Sequence, residues 1–183
     1  MEQFTLVMTD EERACLHTLV RARILARLQE KKDETPLPPG GVLHEKLGAF
    51  VTLKKGGQLR GCIGNLVGSG PLYGTVGAMA EAAAFGDRRF PPVTLAEYDA
   101  LEVEISVMGP ITPCPDATAV VIGRHGLVMR RGNRQGLLLP QVPVEWRWDR
   151  ETFLAQTCRK AGLPLDAWRE KETEIYWFEA FII

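Results

Sequence analysis

Residues 48–64 restrict the fold of this chain more than any other stretch. Two runs with alternating apolar side chains flank Lys55-Gly56-Gly57, and the two glycines can adopt the positive φ that a tight reversal needs. The stretch therefore predicts a β-hairpin whose second strand is 59–64. Because side chains alternate along a strand, this strand presents Leu59, Gly61 and Ile63 on one face and Arg60, Cys62 and Gly64 on the other.

Three patterns predict helices. Thr9-Asp10-Glu11-Glu12 has the form of a capping box and begins a helix that extends to about residue 30. An alanine-rich helix follows Pro71 and ends at Gly86, and its small side chains allow a close approach to a sheet. A last helix begins after Asp149 and ends before Gly162.

Further strands are predicted at 101–107, 119–122, 127–130, 136–139 and 174–183. The strand at 101–107 alternates almost perfectly, with Glu102, Glu104 and Ser106 on its polar face, and residues 123–126 are predicted as a turn. Helices set between strand runs, with hairpin-length turns, predict an α+β fold: a mainly antiparallel sheet flanked by helices. The 183 residues suit a single domain.

Charge and composition exclude several classes of protein. The formal net charge is -1, and there is no basic helix or aromatic platform, so a nucleic-acid partner is not expected. No apolar run approaches the length of a membrane span, and Met1-Glu2-Gln3 lacks the basic start of a signal peptide. We therefore expect a cytoplasmic protein without a membrane partner. The four cysteines and three histidines are scattered, which predicts reduced thiols and no metal site.

The hairpin supplies the first candidate site, because its second strand places Arg60 beside Cys62. A guanidinium beside a thiol favours the thiolate, which makes Cys62 a candidate nucleophile and Arg60 its activating group. The alternative for Cys62 is a small buried hydrophobe. The alternative for Arg60 is a cross-strand ion pair with Glu102 or Glu104, which requires 101–107 to lie in the same sheet.

Other candidates would contact a substrate around this thiol. Gly61 and Gly64 would let a ligand approach the strand closely, and Glu104 with Ser106 would add polar groups. Asp87 and Arg89 form either a loop-closing ion pair or an anion-binding rim. Two further candidates complete the set: His125 as a base, although its setting is typical of a turn, and Gln141 at the end of a strand.

Six blocks of sequence carry a resemblance to a known family. They are G-A-F-V-T-L with L-R-G-C-I-G, Asp87 with Arg89-Phe90-x-Pro92, E-x-E-I-S-V, G-x-H-G-L, G-L-L-L-P-Q-V and C-x-K-A-G-L-P. In this order, from about residue 9 to 181, they resemble the AMMECR family, also called AmmeMemoRadiSam system protein A, whose hallmark is L-R-G-C-I-G. One departure is Arg147, because members of that family often have glycine before the Trp-Asp pair.

The resemblance implies an α+β fold with a larger and a smaller lobe that meet at a cleft. It also implies two partners, a Memo-type protein that resembles extradiol dioxygenases and a radical SAM enzyme. It supplies neither a reaction nor a cofactor.

Two hypotheses of function follow. In the first, the thiol of Cys62 is a nucleophile or redox group that acts on a small anionic or carbonyl-bearing substrate. In the second, the protein is not an enzyme, and the same surface binds a segment of a partner protein or a cofactor-bearing peptide.

Overall fold

The computed structural model describes residues 6–32, 38 and 40–183. Its described residues up to Met108, together with Phe181–Ile183, form one compact unit, and Gly109–Ala180 form a second. The strand pairings are antiparallel and helices accompany the strands in both units, which confirms the predicted α+β class. Among the described residues, no helix is long and apolar enough to cross a membrane.

The first unit contains a sheet with its central strand between two neighbours. The helices are α1 (Asp10–Leu28) and α2 (Leu72–Phe85), and the strands are β1 (Gly48–Lys55), β2 (Gln58–Asn65) and β3 (Leu101–Met108). β1 pairs with β2 on one side and with β3 on the other. Beyond β3, Ile105 and Ile183 exchange both backbone hydrogen bonds. The strands 59–64 and 101–107 therefore share a sheet, as predicted, but β1 separates them.

The core of the first unit explains why β1 is central. Ala49, Val51 and Leu53 point to one face of β1 and are fully buried, where α2 packs on the strand and α1 packs on α2. The hairpin turn has positive φ at both Gly56 and Gly57, as the sequence predicts.

The predicted helix boundaries in this unit are close to those found. The capping box is present, with the Thr9 side chain accepting from the backbone N–H of Glu12 and the Glu12 carboxylate accepting from that of Thr9. Helix α1 ends at Leu28, two residues before the predicted end near residue 30. Gly86 is the C-cap of α2, and Pro71 is its N-cap.

The second unit contains a smaller set of strands with two helices. These elements are β4 (Thr112–Pro113), β5 (His125–Arg131), β6 (Arg134–Leu138), α3 (Gln141–Glu145), α4 (Arg150–Lys160) and β7 (Glu174–Ile182), whose last residues belong to the first unit. Strand β5 lies between β6 and β7, and β4 pairs with β7. Helix α4 begins after the Asp149 cap, as predicted, and packs on β5 and β6 around Phe153 and Leu154.

The strand predicted at 119–122 is wrong. Ala117–Ala119 form a 3₁₀ turn that the Asp116 side chain caps by accepting from the backbone N–H of Thr118, and residues 122–124 form a turn. The β-branched run therefore forms no strand, because the local cap provides backbone hydrogen bonds without a neighbouring strand.

Arg147 adopts φ 53°, in the left-handed region that favours glycine. This is the position at which the family resemblance leads us to expect glycine. The turn before α4 keeps its left-handed conformation although an arginine occupies it.

Candidate functional site

A β-bulge in the hairpin changes the direction of Arg60. The pairing of β1 with β2 passes from Leu53 opposite Gly61 to Lys54 opposite Leu59, so Arg60 has no partner residue on β1. An extra residue of this kind interrupts the alternation of side chains and re-aims its own. The prediction that Arg60 and Cys62 lie side by side on one strand face assumes unbroken alternation of side chains, and the bulge interrupts that alternation.

Arg60 pairs with Glu97 instead of Glu102 or Glu104. Its Nε and Nη2 donate to the two carboxylate oxygens of Glu97, each at 3.1 Å, and its Nη1 donates to the Pro91 carbonyl at 2.9 Å. The side chains of Arg60 and Glu97 are only 12% and 19% exposed. These hydrogen bonds from Arg60 hold the pKa of Glu97 well below its usual range, although burial opposes them. Arg60 therefore fastens β2 to the segment that follows α2.

The predicted polar face of β3 has other partners. Glu104 forms an ion pair with Lys54 at 2.8 Å, and Glu102 accepts the backbone N–H of Gly57 at 3.1 Å. Ser106 is buried opposite Phe50 on β1. Glu104 lies in register with Thr52, which in turn lies opposite Cys62, so Glu104 is two strands away from the thiol.

Cys62 is half-buried, and its sulfur and its backbone have separate partners. The Thr52 hydroxyl donates to Sγ at 3.2 Å across the strand pair. The backbone N–H of Cys62 donates to the Asp87 carboxylate at 2.9 Å, and its carbonyl accepts from Arg89 Nη2 at 3.3 Å. Both backbone groups bond to this loop and therefore point away from β1. The side chains of Asp87 and Arg89 thus take the place of a neighbouring strand along this edge of β2.

Asp87 and Arg89 form an ion pair that closes their loop, which was one of the two alternatives from the sequence. Arg89 Nη2 lies 2.6 Å from one carboxylate oxygen of Asp87, and Arg89 Nε donates to the other at 2.9 Å. Asp87 is buried, and the Arg89 side chain is 57% exposed. The hydrogen bonds from the Arg89 side chain are the main reason why the pKa of Asp87 lies far below its ordinary value, and they also raise the pKa of Arg89.

The guanidinium that accompanies the thiol is therefore that of Arg89. Its Nη2 donates to the Cys62 carbonyl at 3.3 Å, so the guanidinium lies next to the residue that carries the thiol. Among the described residues, Arg89 Nη1 has no hydrogen-bond partner, while Nε and Nη2 are both engaged. One edge of a fixed guanidinium is thus available to an anion beside Cys62.

The two glycines of the motif are explained by packing. A Cβ on Gly61 would collide with the backbone carbonyl of Ala83 in α2, so glycine is required where the alanine-rich helix meets β2. A Cβ on Gly64 would collide with the ring of Phe50. Their predicted role in substrate approach stays a prediction, because these contacts account for both residues without a ligand.

His125 and Gln141 belong to the second unit. His125 was predicted in a turn, which is wrong, because it is the first residue of β5 and is buried. Its Nδ1 accepts the backbone N–H of Val121 at 3.1 Å, and its ring contacts Trp177 with centroids 4.4 Å apart. Burial, followed by the charge of Arg124, lowers the pKa of His125. The ring therefore has a structural role in forming the turn before β5.

Gln141 is half-buried and is the first residue of the short helix α3. Its predicted role in binding stays a prediction. Within the residues that the structure describes, no three His, Cys, Asp or Glu side chains form a group that could hold a metal ion.

Sequence reasoning missed two residues of the site, Thr52 and Glu97. Thr52 could have been found, because it lies on the polar face of β1 and antiparallel pairing through a short turn places it near Cys62. Glu97 lies in a 3₁₀ turn (Leu95–Ala100) with a capping box at Thr94. Because this local role already accounts for a glutamate there, the sequence gives no sign of its contact with Arg60.

Comparisons with known proteins match almost the whole chain. A family model described as AMMECR1 matches residues 17–183. Protein MK0488 of Methanopyrus kandleri is 44% identical over 182 residues, which cover 94% of this chain and 88% of that protein. Protein PH0010 of Pyrococcus horikoshii is 44% identical over 187 residues, with 94% and 89% covered.

A solved structure is also similar. The crystal structure of PH0010 from Pyrococcus horikoshii matches with a TM-score of 0.80 and 41% sequence identity, over 92% of this chain and 88% of that one.

Proposed function

We propose that this chain, which belongs to the AMMECR1 family, acts through a site formed by the thiol of Cys62 and the guanidinium of Arg89. The substrate class is a small molecule with both a carbonyl group and an anionic group. The thiol is the nucleophile, and Arg89 binds the anionic group.

One observation carries this proposal: Arg89 is held beside Cys62 with one edge unused. Asp87 accepts from Arg89 and from the Cys62 backbone, so a single buried carboxylate fixes both groups. A fixed guanidinium loses little conformational entropy when it binds an anion. The Arg89 side chain is 57% exposed, so an anion in solution can reach this edge.

The chemistry is a reversible addition. The sulfur of Cys62 forms an S–C bond to the carbonyl carbon, and the electron pair of the C=O π bond moves to oxygen. The thiol releases its proton to water, and the carbonyl oxygen takes one up, so the product is a hemithioacetal. The hydroxyl of Thr52, which donates to Sγ at 3.2 Å, orients the sulfur before addition.

The second candidate is a binding module without catalysis, which uses the same surface for a segment of a partner protein. The described contacts of Cys62 favour this candidate, because they include Thr52, Asp87 and Arg89 but no general base that is free to accept a proton. Asp87 is unsuitable as a base, since Arg89 holds its pKa far below the ordinary value. The cleft and the two partners, a Memo-type protein and a radical SAM enzyme, remain proposals that rest on the family resemblance.

The experiment uses glyoxylate isotopically labelled at its aldehyde carbon, with the adduct followed by carbon NMR. The proposal predicts a hemithioacetal resonance with the native protein, a weaker one with Arg89→Gln, and none with Cys62→Ser. Methylglyoxal, which lacks the carboxylate, controls for the role of Arg89 and should bind equally to the native protein and Arg89→Gln. No adduct with the native protein would leave the binding module as the better account.

A further inference from the structure

A groove in the second unit, distant in sequence from Cys62, combines an aromatic ring with carboxylates. It has a volume of about 400 Å³, and its lining includes Glu151, Ala155, Leu165, Asp166, Trp168 and Arg169. Neither the proposed thiol site nor the motifs of the sequence use this groove.

Trp168 is a fixed wall of the groove. Its ring is half-buried and packs against the core of the second unit, and the preceding residue, Ala167, is fully buried in that core. The guanidinium of Arg169 lies over the ring, 4.5 Å from its centroid, and Arg169 Nη2 lies 3.1 Å from a carboxylate oxygen of Glu151. The chain thus places one of its own guanidinium groups between an aromatic face and a carboxylate.

The remaining lining matches the rest of an arginine side chain. Asp166 adds a second carboxylate, so Glu151 and Asp166 outweigh the charge of Arg169 and leave the groove negative. An aromatic face with nearby carboxylates attracts cations, and arginine stacks on such faces more readily than lysine. Leu165, which is exposed, and Ala155 offer apolar surface to the aliphatic stem.

Arg169 is easily displaced from this position. Its side chain is 60% exposed and that of Glu151 is 70% exposed, and an ion pair so accessible to water contributes little to stability. We propose that this groove binds an arginine side chain of a partner protein, which takes the place of Arg169 on Trp168. The side chain of Arg169 then competes with the partner's arginine for the Trp168 ring and lowers the affinity of the groove for that arginine.

The test uses Nα-acetyl-arginine amide as the probe and follows the indole N–H resonance of Trp168 by NMR during titration. That resonance is identified by its loss in Trp168→Phe. Removing the competitor with Arg169→Ala should tighten binding by about threefold, whereas Arg159→Ala, on an exposed position of α4 outside the groove, should leave it unchanged. Glu151→Gln in the Arg169→Ala background should weaken binding again.

The neutral citrulline analogue of the probe provides the second control, because it keeps the shape and the stem but lacks the charge. It should bind markedly less well than the arginine probe to Arg169→Ala. Unchanged or weaker binding of the arginine probe to Arg169→Ala would overturn the proposal, and so would equal binding of the citrulline analogue.

Discussion

Asp87 accepts the backbone N–H of Cys62 at 2.9 Å, although 25 positions separate the two residues. The same carboxylate fixes the guanidinium of Arg89. The edge of β2 is therefore closed by a loop that also places a cation beside the thiol. The buried carboxylate of Asp87 therefore has a structural role at the edge of β2 and, in our proposal, a second role in positioning Arg89.

The Arg60–Glu97 pair leads to a first prediction, on stability. Glu97→Ala should lower the free energy of unfolding by about 2 kcal/mol, because the poorly exposed guanidinium of Arg60 loses its carboxylate. Glu104→Ala, which breaks the more exposed pair with Lys54, should cost less than about 1 kcal/mol. Urea denaturation of both variants measures the difference.

Glu97 also completes the capping box with Thr94, so the control for this prediction is Glu97→Gln. The amide can still accept from the Thr94 backbone but carries no charge, so a loss between those of the wild type and Glu97→Ala is expected. A larger loss from Glu104→Ala than from Glu97→Ala would show that the assignment of the Arg60 partner is wrong.

The contact between β2 and α2 yields a second prediction. Gly61→Ala should lower the free energy of unfolding by about 2 kcal/mol, because the added Cβ collides with the Ala83 carbonyl and forces α2 away from the sheet. Gly70→Ala is the matched control, since a Cβ there meets no heavy atom and should change stability by less than about 0.5 kcal/mol. Thermal unfolding of the two variants distinguishes a packing requirement at Gly61 from a general cost of replacing glycine.

The buried ring of His125 makes stability depend on pH. Burial lowers its pKa from the ordinary 6.5, so below about pH 6.5 the unfolded chain binds a proton that the folded protein does not. The contribution of this ring to stability is therefore complete above pH 6.5 and is lost as the pH falls from there through the lowered pKa. Protonation at Nδ1 would also break the hydrogen bond from Val121.

The measurement is urea unfolding at about pH 7.5 and at about pH 5.5. His125→Gln should reduce the difference in stability between the two pH values, and His44→Gln, at an exposed position, should retain it. An undiminished difference in His125→Gln would assign the pH dependence to other groups.

Several parts of the structure could be predicted from the sequence because local chemistry determines them. The hairpin turn needs positive φ at Gly56 and Gly57, and the helix caps at Thr9 and Asp149 are set by side chains within three residues. The alternating run at β3 could be recognised because a half-buried strand produces that pattern.

The orientation of Arg60 could not be predicted, because the neighbouring Gly61 is equally compatible with a bulge and with the close approach of another element. The ion pair of Asp87 and Arg89 was one of two alternatives from the sequence. Its hydrogen bonds to the Cys62 backbone could not be predicted, because they depend on where the end of α2 places this loop in space. The sequence led us to expect Arg60 of β2 beside the thiol, whereas in the structure Arg60 bonds to Glu97 and Arg89 of the loop after α2 bonds to the Cys62 backbone.

The central claim is that Arg89 and Cys62 form one site, and the rate of alkylation by iodoacetamide at neutral pH tests it most directly. Cys62 should react faster than Cys114 and Cys158, because burial raises the pKa of both of those thiols, and faster than Cys15, which packs against the first core.

Peptide mass spectrometry of the native fold, with Arg89→Gln and its exposed neighbour Arg88→Gln as a matched pair, gives the decisive comparison. We expect alkylation of Cys62 to slow by about tenfold in Arg89→Gln and to stay unchanged in Arg88→Gln, with both proteins folded by circular dichroism. Equal rates at Cys15, Cys62 and Cys114, or equal rates at Cys62 in the two variants, would contradict the account.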